Sequence, residues 1–184
     1  TSGSMNIDAP IGGAEEEQGQ VSLTRMELVK HSMRTVISML NDQDQLGLVD
    51  FSHVVSTALQ PTVMNEEGKD QAMHAMDLMN ADGGTQLSPG IGKAFQMAEM
   101  AEYCDLDVHI MVLTDGVCSD KRQVSSDVEA MLKNRQGKGQ VTLSTFGFGY
   151  DIDSPLLLQL SIIGQSTFSF LPDATMVGTC FVNW

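Results

Sequence analysis

The chain has 184 residues, a length that fits one domain with a buried core of its own. Its apolar fraction of 42% and charged fraction of 18% are those of a globular protein. Acidic residues outnumber basic ones by 24 to 10, and the formal charge of −14 repels nucleic-acid phosphates and anionic lipid, which argues against nucleic-acid and membrane partners.

Apolar periodicity in the first half of the chain predicts two strands among three helices. Apolar residues recur from Leu23 to Leu40 at spacings of three and four, which is typical of an amphipathic helix. Residues 46–51 form an apolar run of strand length, and residues 53–59 alternate as an adjoining edge strand does. The other predicted elements are a solvated loop over 6–20, a helix over 66–79, and a helix after Gly83 and Gly84 with Pro89 in its first turn.

The second half of the chain predicts alternating strands and helices. Residues 108–114 are nearly continuous in apolar residues, as a parallel strand buried on both faces is. The further predicted elements are a helix with Val124, Val128 and Met131 on one face, a strand over 141–147, a helix opened by Asp153 and Pro155, a strand over 167–171, and a terminal helix from Asp173. This alternation predicts an open parallel sheet with helices on both faces, whose binding site lies at the carboxyl ends of the strands.

Three segments combine short oxygen-bearing side chains with glycine. They are residues 1–5, 82–85 and 113–116. Hydroxyl and carboxylate oxygens are the ligands that a hard octahedral cation such as Mg²⁺ takes, with waters filling the remaining positions. Glycine lets the backbone approach such an ion closely.

These segments resemble the von Willebrand factor A (VWA) domain family, which carries an Asp-x-Ser-x-Ser motif, a later threonine and the aspartate of a Thr-Asp-Gly triplet. The matching residues are Ser2, Ser4, Thr85 and Asp115. The resemblance covers the whole chain, because residues 50–52 and 146–149 also match. It implies a doubly wound, mostly parallel, Rossmann-like sheet with helices on both faces, and a metal site formed by those four residues for Mg²⁺, or else Mn²⁺ or Ca²⁺.

The sequence departs from the family pattern at its beginning. The family's first aspartate would immediately precede Thr1, and its first strand would precede that aspartate. The resemblance therefore implies a single domain over residues 1–184 that is truncated at its N-terminus and lacks its first central strand. Burying the large apolar side chains of such a strand contributes roughly 1.5–3 kcal/mol each, so we expect the isolated 184 residues to be marginally stable.

The resemblance implies a metal-ion-dependent protein-binding module. A partner's acidic side chain would complete the coordination of the bound cation. The acidic loop after Met5 and residues 171–178 resemble a subgroup in large intracellular eukaryotic proteins, which implies a larger multidomain chain. One alternative is a structural scaffold with a vestigial metal site, and a second is a metal-assisted hydrolase.

Several residue patterns bear on these alternatives. No nucleophile–base pair is evident, so we expect no enzymatic activity and no catalytic residue. Residues 90–93 depart from a phosphate-binding loop and do not follow a strand, which argues against nucleotide binding. The cysteines, Cys104, Cys118 and Cys180, are too few for a disulfide framework and predict small core residues in a reducing, cytoplasmic compartment.

Interpretations without a metal site remain open for several of the polar residues. Residues 2–5 could be a remnant of an expression vector, and Thr85 could be a helix cap. Turn or cap roles are predicted for Asp50, Asp82, Asp151 and Asp153. His109 is predicted to be a satisfied residue of a buried strand. Asp115 is harder to explain structurally, because an ionised carboxylate at the end of a buried strand needs a partner.

Overall fold

The structure is a computed structural model that describes residues 24–80, 84–100, 103, 105–116, 118, 120–135, 137–172 and 176. Its helices are α1 (Arg25–Met39), α2 (Glu66–Leu78), α3 (Leu87–Ala98), α4 (Lys121–Lys133) and α5 (Ser154–Ile163). Its strands are β1 (Gln45–Phe51), β2 (Val55–Val63), β3 (Val108–Thr114), β4 (Val141–Phe148) and β5 (Phe168–Leu171). Each predicted element among these residues is confirmed within a few positions. The predicted loop over 6–20 lies outside the described residues, as does the terminal helix from Asp173 except for Met176, which is helical.

The helices begin where the sequence supplies side-chain caps. At the start of α1 the Thr24 hydroxyl accepts the Glu27 N–H at 3.2 Å, and the Glu27 carboxylate accepts the Thr24 N–H at 2.6 Å. This capping box satisfies two amide donors that the helix itself leaves without acceptors. The hydrogen bonds that the Glu27 carboxylate accepts from the Thr24 N–H and from the Thr24 hydroxyl lower the pKa of Glu27. The Asp153 carboxylate caps α5 by accepting the Leu156 N–H at 3.2 Å, which confirms its predicted cap role.

The described strands form two sheets. β3, β4 and β5 pair in parallel in that order, and β1 pairs with β2 antiparallel. Between β1 and β3, no backbone ladder joins the two sheets within the described residues.

Helices cover both faces of the parallel strands, as predicted for a doubly wound fold. Side chains alternate along β3, so that Ile110 and Val112 pack against α3, α4 and α5, whereas Met111 and Leu113 pack against α1. Along β4, Leu143 lies in the first of these cores and Phe146 in the second. The period-two pattern of a strand thus divides the apolar residues between two layers.

Two helices connect the sheets through their side chains. Met33 of α1 packs both against the core beneath β4 and against the core formed by β1, β2 and α2. On the opposite face, Phe51 of β1 packs into the core that α3 shares with β3 and β4. The β1–β2 sheet and the β3–β4–β5 sheet are therefore parts of one packed unit.

Two predictions in the β1–β2 region are wrong. His53 was predicted to start the edge strand, but it lies in the turn between β1 and β2, where the Ser52 N–H donates to the Val54 carbonyl at 2.9 Å. Asp50 was predicted to be a turn or cap residue, but it pairs with Ser56 inside the β1–β2 ladder. The ladder ends at the pair of Phe51 and Val55, which places Asp50 inside β1 and leaves His53 in the connection between the strands.

Candidate functional site

The predicted ligand residues within the described part of the chain lie in two loops next to the parallel sheet. Asp115 directly follows β3 and is completely buried, with 0% of its surface exposed. Thr85 lies two residues before α3 and is 6% exposed. Thr85 is not the helix cap, because Gln86 holds that position. Ser2 and Ser4 lie outside the described residues.

Asp120 connects these two loops. Its carboxylate accepts the N–H groups of Leu87 and Ser88 at 3.2 and 2.8 Å. These are the first two amides of α3, and Gln86 makes no side-chain hydrogen bond to them. Asp120 therefore caps α3 from the loop that follows β3, and a carboxylate at a helix N-terminus is also favoured by the helix dipole. The segment that carries Thr85 is thus held beside the loop that carries Asp115.

Asp115 has a cationic neighbour within the chain. The Arg25 Nη1 atom lies 3.6 Å from the Asp115 Oδ2 atom, and the Arg25 Nη2 atom lies 3.1 Å from the Asp151 Oδ2 atom. The side chains of Arg25 and Asp115 are 7% and 0% exposed, whereas that of Asp151 is 74% exposed. Arg25 thus contacts one buried and one solvated carboxylate at the carboxyl ends of β3 and β4.

Gly149, which follows β4, provides the space for this guanidinium. Its φ is +76°, in the left-handed region that favours glycine. A Cβ atom at this position would lie 3.0 Å from both Cζ and Nε of Arg25. Both the backbone conformation and the close approach of Arg25 therefore require glycine here.

The oxygen donors of this region are of the kind that a divalent cation needs. Asp115 offers a buried carboxylate and Thr85 a hydroxyl, which suit a hard ion. Within the described residues there is no group of three or more His, Cys, Asp or Glu side chains that could hold a metal ion. Two of the four residues that match the family's set, Thr85 and Asp115, accordingly lie on the described loops, and the other two, Ser2 and Ser4, lie outside the described residues.

Two features of the site were not found from the sequence. Asp151, predicted to be a cap, instead pairs with Arg25, and Arg25 was not singled out at all. A positive charge at the first position of a helix is disfavoured by the helix dipole. The position of Arg25 at the start of α1 was therefore a sequence signal that this side chain has an anionic partner. Asp120 had no local pattern to identify it, because its partners Leu87 and Ser88 are distant in sequence.

The predictions for Cys118 and His109 have different outcomes. Cys118 is buried, as predicted, and its thiol donates to Asp120. Burial, with a smaller effect of that hydrogen bond, raises the pKa of Cys118 to about 11. His109 lies in β3 and its Nδ1 is 2.6 Å from the Thr142 hydroxyl, but it is exposed instead of buried. Cys104 and Cys180 lie outside the described residues.

A cleft of about 420 Å³ lies between α3 and α4, away from these loops. It is lined by Gly92, Phe95, Gln96, Glu99, Met131, Asn134 and Arg135. Since neither Asp115 nor Thr85 borders it, the candidate site is a surface of loop ends and not this cleft. Among the described helices, none has the length and apolar content needed to cross a membrane.

Comparison with known proteins identifies the family of this chain. The family model of the von Willebrand factor type A domain matches residues 18–179, so the chain belongs to this family. A similar curated protein is the uncharacterized protein YfbK of Escherichia coli (strain K12), which is 26% identical over 152 residues. That match covers 82% of this chain but 26% of YfbK, so the chain spans about a quarter of this relative's length.

Solved structures show the same fold. A von Willebrand factor type A structure from Catenulispora acidiphila matches with a TM-score of 0.76 and 18% identity, over 86% of this chain and 37% of that one. Proximal thread matrix protein 1 from the mussel byssus, in a structure described as having a zinc-occupied MIDAS motif, matches with a TM-score of 0.64 and 15% identity. That match covers 86% of this chain and 39% of the mussel protein.

Proposed function

We propose that this domain is a protein-binding module in which a divalent cation, held by Ser2, Ser4, Thr85 and Asp115, bridges to an acidic side chain of a partner. The observation that carries the proposal is the completely buried carboxylate of Asp115 at the carboxyl end of β3. A buried carboxylate is costly unless a cation compensates its charge. The proposed role is binding and includes no catalytic step.

The geometry of the two loops supports a cation site at this position. In an open α/β sheet, ligands bind at the carboxyl ends of the strands, where Asp115 lies. Asp120 ties the start of α3 to the loop after β3, so that the backbone beside Thr85 is held in place. The zinc-occupied MIDAS motif of the structurally similar mussel protein supports the choice of a divalent metal, and Mg²⁺ is the ion that we propose for this chain.

The charge of the domain supports a cation bridge to the partner. A formal charge of −14 repels an acidic protein surface at long range. A bound divalent ion supplies a local positive charge at the one place where the partner's carboxylate would attach. We therefore expect partner binding to require the metal and to be abolished by a chelator.

Titration of the full-length protein with Mg²⁺ and Mn²⁺ alone tests the metal site. Asp115→Asn removes the anionic donor with little change in shape, and we expect cation affinity to fall at least tenfold, about 1.4 kcal/mol. Asp77→Asn is the matched control, because it removes an equal charge from an exposed residue of α2. Isothermal titration calorimetry gives the affinities, and equal affinities of Asp115→Asn and the wild-type protein would refute the proposed site.

One observation favours a second candidate, a scaffold domain with a vestigial metal site. Arg25 already places a positive charge 3.6 Å from the Asp115 carboxylate, so the buried charge is compensated without a metal. In that case the domain would organise a larger protein, and its interactions would not respond to cations. Identical melting temperatures of the full-length protein in EDTA and in millimolar Mg²⁺ would favour this candidate, since a ligand that binds the folded state raises its stability.

A further inference from the structure

The buried guanidinium of Arg25 is unusual for its place in the helix. Arg25 is the first residue of α1, where the helix dipole is unfavourable to a cation. It is nevertheless 7% exposed, and a guanidinium cannot lose its charge by deprotonation. Its position must therefore be stabilised by specific anions, which are Asp115 on the buried side and Asp151 on the solvent side.

The two contacts of Arg25 differ in kind. The 3.1 Å distance to Asp151 is that of a charge-assisted hydrogen bond, whereas the 3.6 Å distance to Asp115 is an ion pair without a hydrogen bond. Within the described residues, the Nε and Nη1 atoms of Arg25 reach no hydrogen-bond acceptor although they are buried. The guanidinium is thus held to Asp151 by a hydrogen bond and to Asp115 by charge alone.

We infer that Arg25 is the built-in counter-cation of Asp115 and that it sets the metal affinity of the site by competing with the divalent ion for this carboxylate. The inference rests on the proposed function for its metal-binding half. In the metal-free protein, Arg25 compensates the buried charge of Asp115. A divalent ion at Asp115 would repel the guanidinium, which would keep its hydrogen bond to Asp151. The folded domain consequently persists without metal and binds metal more weakly than a site without this arginine.

Arg25→Gln in the full-length protein tests the competition. It removes the positive charge while keeping a polar side chain, and we expect Mg²⁺ and Mn²⁺ to bind about tenfold more tightly. Arg25→Lys keeps the charge, and we expect its cation affinity to stay within about threefold of the wild-type value. Arg34→Gln is the matched control, because Arg34 lies on the same helix in an exposed ion pair with Asp77 at 2.7 Å, and it should leave the affinity unchanged.

The stability measured in EDTA provides a second readout. Arg25→Gln should lower the melting temperature in EDTA, and saturating Mg²⁺ should restore more of it than in the wild-type protein. In a double-mutant cycle in EDTA, Arg25→Gln should destabilise Asp115→Asn much less than it destabilises the wild-type protein, since the carboxylate charge is already gone. A merely structural role of Arg25 would give the same loss in both backgrounds.

The outcomes separate this inference from the proposed function. Unchanged or weaker cation binding by Arg25→Gln overturns the competition, even if the wild-type protein binds metal as proposed. If neither protein binds a cation, the proposed function fails, and the counter-cation role is decided by the cycle in EDTA. Coupling between Arg25 and Asp115 then supports that role, and additive effects overturn it. Should Arg25→Gln fail to fold, recovery of folding in the double variant Arg25→Gln with Asp115→Asn supports the inference, because the carboxylate charge is then gone, and failure of both variants to fold overturns it.

Discussion

Replacing Asp120 by alanine should release the start of α3 and loosen the loop that carries Thr85. The Asp120 carboxylate accepts two backbone N–H groups, those of Leu87 and Ser88, at 3.2 and 2.8 Å. Loss of a helix cap costs about 0.5–2 kcal/mol, and the interaction of the charge with the helix dipole adds about 0.3–1 kcal/mol. We therefore expect Asp120→Ala to lower the free energy of unfolding by about 2 kcal/mol.

Hydrogen exchange at the start of α3 measures this effect where it arises. A change of about 2 kcal/mol corresponds to roughly 30-fold faster exchange of the Leu87 and Ser88 amides. For a domain of this size the melting temperature should fall by about 4–8 °C. Asp120→Asn keeps one acceptor oxygen and should lose about half as much. Asp70→Ala, which removes an equal charge from an exposed position of α2, should change neither quantity.

The result that refutes this reasoning is specific. If the Leu87 and Ser88 amides of Asp120→Ala exchange at the wild-type rate, the carboxylate does not cap α3. If they exchange faster but cation affinity is unchanged, the cap exists without positioning Thr85 for the metal. Calorimetric titration of the same variant with Mg²⁺ distinguishes these results, because the proposed site predicts weaker cation binding as well.

Two further predictions concern the same region. Gly149→Ala places an alanine at a φ of +76° and its Cβ atom 3.0 Å from Arg25. The free energy of unfolding measured in urea should therefore fall by about 1–3 kcal/mol. Gly84→Ala is the control, since its Cβ would meet nothing within 4 Å, and an equal loss in both would contradict the argument. Native Cys118, with a pKa raised to about 11 from 9.0, should react slowly with iodoacetamide at pH 8 and faster as the pH approaches 11. Because the pKa of Cys118 is higher in the folded than in the unfolded state, this thiol favours folding below pH 9, and its contribution to stability is lost as the pH rises toward 11. Labelling of the native protein at pH 8 as fast as that of denatured protein would contradict the raised pKa.

The helices and strands were largely predictable because their causes are local. Apolar residues at spacings of three and four define α1, and the continuous apolar run of residues 108–114 coincides with β3. The cap of α5 was also predictable, since the Asp153 carboxylate and the Leu156 N–H that donates to it are only three residues apart in sequence. Prediction was less accurate around Asp50 and His53, where pairing of β1 with β2 decides which residues belong to the strands.

The candidate site was predictable only in part. Asp115 and Thr85 stand in short motifs, so a resemblance between sequences could find them. Arg25 could not be assigned in this way, because its partners Asp115 and Asp151 are distant in the chain and no local pattern joins the three residues. The role of Asp151 was mistaken for the same reason, since a cap is a local function and an ion pair to α1 is not.

The amino-acid sequence was sufficient to find the family, the order of helices and strands, and the two described residues that we propose as oxygen ligands. These follow from periodicity, capping residues and short motifs, which act over a few positions of the chain. The packing of distant elements places the buried carboxylate of Asp115 beside a cation of its own chain and lets Asp120 join the two loops that carry the proposed ligands. The physical reason is that charge compensation in a buried site depends on distance in space, and packing of α1, α3 and the parallel strands sets that distance.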